Sequence, residues 1–118
     1  MIENNKLFII AGPCVIENEQ TTLEIATKIK SITDKLKVNF IFKASYEKAN
    51  RSRLDSFTGT GIEKGLSILK TIKSELNIPI TTDIHSEYDI EKCKDIIDII
   101  QIPAFLCRQT NLLIAAAK

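Results

Sequence analysis

The feature that most constrains this chain is an alternation. Short apolar runs of strand length trade places with segments of helical period, four times over. Residues 7–11 (Leu7, Phe8, Ile9, Ile10, Ala11) form a continuous apolar run, the pattern of a parallel strand covered on both faces. A capping box is then read at Thr21 and Glu24, with Ile25, Ile29, Ile32 and Leu36 recurring at helical spacing behind it. A second strand is expected over residues 40–43. A polar stretch follows, and a second box at Thr60 and Glu63 opens a helix with Ile62, Leu66, Leu69, Ile72 and Leu76 on one face. Asn77, Ile78 and Pro79 stop it. Strand three is expected over residues 80–83, a short helix over 87–95, strand four within 97–102, and a last helix from about Gln109.

Repeated strand–helix units with short connections force parallel strands and right-handed crossovers. Two closures fit, an open doubly wound sheet or an eight-stranded barrel. Neither G-x-G-x-x-G nor G-x-x-x-x-G-K-[ST] occurs, which weakens the nucleotide-binding open sheet. With 118 residues, a helix still running at Lys118 and no repeat or linker, the chain is expected to be the amino-terminal part of one barrel domain.

Composition excludes little but supplies few partners. The net charge of +1 gives no electrostatic footprint for nucleic acid. No run approaches the ~20 apolar residues of a membrane span. The three cysteines have no paired spacing, which suggests free thiols and a cytoplasmic setting. The run before Cys14 is too short for a signal segment, and Pro13 stands where a small cleavable residue is wanted.

In parallel α/β folds ligands bind at the carboxyl ends of the strands. Those positions hold Cys14 after strand one, and Lys43, Ser45, Lys48, Asn50, Arg51 and Ser52 after strand two. Strand three leads to Asp83 and His85, and strand four to Gln101, Pro103, Ala104 and Arg108. Lys43, Lys48, Arg51 and Arg108 would aim a positive field at one mouth, which suits a phosphate or carboxylate. Solvated loop charges are the alternative, and position alone leaves the two even. Cys14 reads as a nucleophile, a soft metal ligand or, more commonly, a buried thiol. His85 reads as an acid–base group, a ligand or a helix-start residue. Cys93 reads as core, and Asp95 and Asp98 as solvated surface.

Four strand-end segments together carry a resemblance: residues 11–14 (Ala-Gly-Pro-Cys), 42–52 (Phe-Lys-Ala-Ser-Tyr-Glu-Lys-Ala-Asn-Arg-Ser), 82–85 (Thr-Asp-Ile-His) and 101–110 (Gln-Ile-Pro-Ala-Phe-Leu-Cys-Arg-Gln-Thr). They resemble the 3-deoxy-D-manno-octulosonate 8-phosphate synthases. The resemblance implies a (β/α)8 TIM barrel, of which this chain covers about the first four units, and a cytoplasmic homotetramer. It implies an aldol-type condensation of phosphoenolpyruvate with D-arabinose 5-phosphate and water, in lipopolysaccharide biosynthesis. By position, Lys43, Lys48, Gln101, Pro103 and Ala104 would contact phosphoenolpyruvate, with Ser45 beside them. Asn50, Arg51 and Ser52 would hold the phosphosugar, Asp83 would line its site, and Arg108 would reach its phosphate from a neighbouring subunit. Lys43, Lys48, Asn50 and Asp83 would be the catalytic set. Cys14 would place the chain in the branch that binds a divalent metal (zinc, iron, manganese or similar), with no organic cofactor. The other metal ligands of that branch lie in the later half of the barrel, so a chain of this length is expected to be inactive alone. Two other readings stand beside it: the related heptulosonate 7-phosphate synthase, whose second loop reads Lys-Pro-Arg-Thr-Ser, and a non-catalytic remnant.

Overall fold

The computed structural model describes residues 6–49 and 52–118. Its elements follow the expected alternation: β1 (Phe8–Ala11), α1 (Glu19–Leu36), β2 (Asn39–Lys43), α2 (Ile62–Leu76), β3 (Ile80–Asp83), α3 (Glu87–Cys93), β4 (Ile99–Gln101) and α4 (Thr110–Ala117). A 3-10 turn at Ala104–Leu106, which periodicity did not show, stands between β4 and α4. The four strands form one sheet in the order β1-β2-β3-β4, and every pairing is parallel. The order never reverses, so this sheet has no switch point of the kind at which doubly wound sheets bind ligands. Right-handed crossovers without reversal keep successive helices on one face, and α1 packs on α2 and α3 on α4.

The core gathers where strands two and three meet α2. Phe40, Phe42, Ile80, Leu66, Leu69 and Ile72 are buried together, and all four residues of β3 are buried. Strand β1 departs from expectation. Phe8, Ile9 and Ile10 are 39%, 37% and 51% exposed, and among the described residues β1 pairs along one edge only. A continuous apolar run signals a strand able to be covered on both faces, and among the described residues only Ala11 of β1 packs against the core.

Both expected capping boxes are corrected. Helix α1 begins earlier, at Asn18, whose side chain accepts from the Thr21 N–H. Asn18 outcompetes Thr21 because its carbonyl oxygen reaches the free amides of the first turn. The fully buried stripe is Thr22, Ala26 and Thr33; of the expected apolar face Ile25 and Ile29 pack partly buried against the core, while Ile32 and Leu36 stay exposed. Helix α2 is capped by Gly61 at φ 82° with no side-chain bond, and the Thr60 hydroxyl is buried without a partner among the described residues. Its apolar face otherwise matches the reading. Helix α3 ends at Cys93 rather than residue 95.

Asp98 is exposed, as expected, but it has a structural task. It is no idle surface charge: one oxygen accepts the Ile80 N–H at 2.8 Å, and the other pairs with Lys73 Nζ at 2.8 Å. Lys73 in turn donates to the Ile96 carbonyl at 2.9 Å, so one pair ties α2, β3 and the start of β4. Asp98→Ala should lower the urea unfolding free energy by about 1–2 kcal/mol, since a buried-side amide loses its acceptor. Lys73→Met should cost less. The double variant should cost less than the sum, as contacting residues are not additive.

Candidate active site at the carboxyl end of the sheet

The end of β2 turns inward through Ala44, Ser45 and Tyr46, all buried. Two hydrogen bonds to its carbonyls hold this turn. Ile16 N–H donates to the Ser45 carbonyl at 2.9 Å, and Thr82 Oγ1 donates to the Ala44 carbonyl at 2.8 Å. The first tie requires the β1–α1 loop to pass close, and Gly12 permits it. A Cβ at that position would stand 1.8 Å from the Lys43 carbonyl oxygen, so only glycine fits.

Ser45 is the hub of the polar cluster. Its hydroxyl accepts from Lys43 Nζ at 2.8 Å and from Lys48 Nζ at 2.7 Å. It donates to Asp83 Oδ1, which lies 3.4 Å from Lys43 Nζ. Two ammonium groups and one carboxylate therefore share a mostly buried space, leaving one positive charge for a bound anion. Burial pulls the Lys43 ammonium below its ordinary range, only partly offset by Asp83. Burial would push the Asp83 carboxyl up, but the Ser45 hydrogen bond and the Lys43 charge outweigh it, and it titrates below the usual carboxylate value.

Asp83 has a second neighbour, His85, whose Nε2 lies 3.3 Å from Asp83 Oδ2. A cavity of about 170 Å³ opens here, lined by Lys48, Ala49, Asp83, His85, Gln101, Pro103, Ala104 and Phe105. Residues from three strand ends thus meet at one small polar pocket, as the sequence pattern required. Not every candidate joins them. Ser52 is exposed on the turn beyond. Arg108 is exposed just past the 3-10 turn and does not line this cavity. Asn50 and Arg51 lie outside the described residues. Cys14 is an exposed free thiol on the β1–α1 loop, not the buried one that lone cysteines usually are. Cys93 is core, and burial pushes its thiol up to about 12.

Sequence reasoning missed Tyr46 and Asp89. Tyr46 Oη donates to Asp89 Oδ2 at 2.7 Å, and Asp89 forms a reciprocal capping box with Ser86. The signal was available, because Ser86-Glu87-Tyr88-Asp89 fits the S-x-x-D pattern that opens a helix.

The class that fold and site define is a βα-repeat protein, a parallel α/β sheet with cations, a carboxylate and a histidine gathered at its carboxyl end. Residues 2–118 match the model of the DAHP synthetase I family, and the chain belongs to that family. Among its relatives are proteins named 2-dehydro-3-deoxyphosphooctonate aldolase. That of Desulfatibacillum aliphaticivorans is 57% identical over 112 residues, covering 95% of this chain and 41% of the relative. That of Koribacter versatilis is 52% identical over 113 residues, covering 96% and 41%. That of Coxiella burnetii (strain Dugway 5J108-111) is 51% identical over 114 residues, covering 97% and 41%. The chain spans about two fifths of the length of these curated relatives.

The acid side of the stability profile follows from Asp83 and Asp89. Both carboxyls titrate lower folded than unfolded. Their contribution is therefore present above the unfolded carboxylate value of about 3.9 and is lost as pH falls through the lower folded values. Unfolding free energy should hold level through neutral pH and decline below about pH 4. Asp83→Asn should flatten that decline in urea titrations run at successive pH values. An unchanged slope would remove Asp83 from the account.

Proposed function

We propose that this chain supplies the first four βα units of a (β/α)8 barrel that condenses phosphoenolpyruvate with D-arabinose 5-phosphate and water. The products are 3-deoxy-D-manno-octulosonate 8-phosphate and phosphate. One observation carries the proposal: Lys43 and Lys48 converge on Ser45 beside Asp83, at the end of the sheet where barrel enzymes hold their ligands. Bringing two phosphorylated substrates together requires fixed cations to offset their repulsion. It also requires the reacting carbons to be held close and aligned. In this reading Lys43 and Lys48, with Gln101, Pro103 and Ala104, hold phosphoenolpyruvate in the pocket. Asn50, Arg51 and Ser52 hold the phosphosugar, Asp83 lines its site, and Arg108 serves the neighbouring subunit of a cytoplasmic homotetramer. The unreversed strand order and the names of the relatives support the barrel and the reaction over the alternatives.

Cys14 is proposed as one ligand of a divalent metal. A zinc site takes about four donors, and among the described residues no group of three or more His, Cys, Asp or Glu side chains gathers. The described residues do not fit a metal site by themselves. Cobalt(II) titration of the chain should show weak uptake whose thiolate absorption disappears in Cys14→Asn. Tight stoichiometric binding would mean that other ligands have been overlooked.

The direct test joins this chain in frame to the remaining segment of the Desulfatibacillum aliphaticivorans relative. Phosphate release from phosphoenolpyruvate should depend on arabinose 5-phosphate. Release driven instead by erythrose 4-phosphate would favour heptulosonate 7-phosphate synthesis, and no release with either sugar would favour a remnant. In the same chimera Arg51→Ala should raise KM for the phosphosugar far more than for phosphoenolpyruvate. The loss should be about 2–4 kcal/mol, typical of a charge-assisted pair with one partner removed.

A further inference from the structure

Asp89 makes more bonds than a helix cap needs. Its exchange with Ser86 already satisfies the start of α3. Yet Oδ2 also accepts the His85 N–H at 2.9 Å and the Tyr46 hydroxyl at 2.7 Å. Tyr46 is only 1% exposed, and its ring meets the His85 imidazole edge-on, with centroids 5.7 Å apart at 86°. A phenol buried this deeply costs stability unless its hydroxyl has a partner, and Asp89 is that partner. His85 is thus held twice, through its backbone by Asp89 and through its ring by Tyr46. The ring nitrogen Nδ1 is buried without a partner among the described residues, so none of them fixes the ring from that side. The held ring places Nε2 beside Asp83, whose other oxygen orders Ser45 and both lysines.

We propose that Asp89 and Tyr46 are positioning residues, a clamp that sets the His85 imidazole against the Asp83 carboxylate. The effect on turnover rests on the reaction proposed above; the clamp itself does not. Tyr46→Phe separates this from a purely structural role. It deletes the hydroxyl that ties the Tyr46 ring to Asp89 and so frees that ring against His85, while the Ser86–Asp89 cap and α3 stay in place.

Two readouts test it. The chain has a single histidine, so its ring nitrogen signals in ¹⁵N NMR report on His85 alone. They should move in Tyr46→Phe and further in Asp89→Asn, with the thermal midpoint of Tyr46→Phe nearly unchanged. In the chimera kcat should fall about threefold in Tyr46→Phe and about tenfold in Asp89→Asn, the scale of one hydrogen bond lost. KM for phosphoenolpyruvate should hold within about twofold, the signature of positioning rather than ground-state binding. The double variant should be no slower than Asp89→Asn, because the hydroxyl acts through that carboxylate. Unmoved histidine signals in Tyr46→Phe, a loss in KM with kcat intact, or multiplied losses in the double variant would each overturn the proposal. If Asp89→Asn does not fold, Tyr46→Phe alone decides. If the unmutated chimera releases no phosphate, the reaction falls, and the histidine signals still decide the clamp.

Discussion

The Asp83 carboxylate is the interaction on which this end of the molecule depends. It ends the fully buried strand β3, where an unpaired charge is costly. Ser45 and Lys43 make it tolerable by a hydrogen bond and an opposite charge. Removing one partner of such a pair costs roughly 3–5 kcal/mol, because the other charge is left stranded. The same bonds that stabilise Asp83 also draw Lys43 and Lys48 to one point. Stability and the gathering of positive charge are therefore supplied by one set of contacts, and neither can be altered alone.

Much of this fold was legible from periodicity. Strands β2, β3 and β4 and the face of α2 are strongly patterned, since their apolar residues meet a real core. The boundaries were less legible. Thr21 and Asn18 are both competent caps, and a pattern cannot say which one the chain's path through the preceding loop favours. Strand β1 misled for a different reason: Phe8 to Ala11 records an ability to be covered, and the amount of cover belongs to the tertiary structure. Asp98 looked like any acidic residue at a strand edge, and only the approach of Lys73 from another helix gives it a task.

The candidate site was legible because strand ends in this fold converge. Lys43, Lys48, Asp83, Gln101 and Ala104 were named from their positions, and Lys48, Asp83, Gln101 and Ala104 line one cavity, with Lys43 tied to it through Ser45. The supports were harder to see. Tyr46 reads as another aromatic among polar residues, and its bond to Asp89 spans 43 positions of sequence. Long-range side-chain bonds leave no periodic trace. Only the local half of that link, the Ser86–Asp89 box, has a sequence signature.

The close pass at Gly12 carries a consequence for how the site would be perceived in a mutational survey. Any side chain there collides with the Lys43 carbonyl, and the backbone that must yield is the one carrying Lys43 itself. Substitution would displace the lysine without touching its charge. An activity screen would then score Gly12 alongside the groups that meet the ligand, although it has no atom able to bind one. Its contribution is empty volume: the missing methyl is the space through which two strands are allowed to agree on where the cation stands.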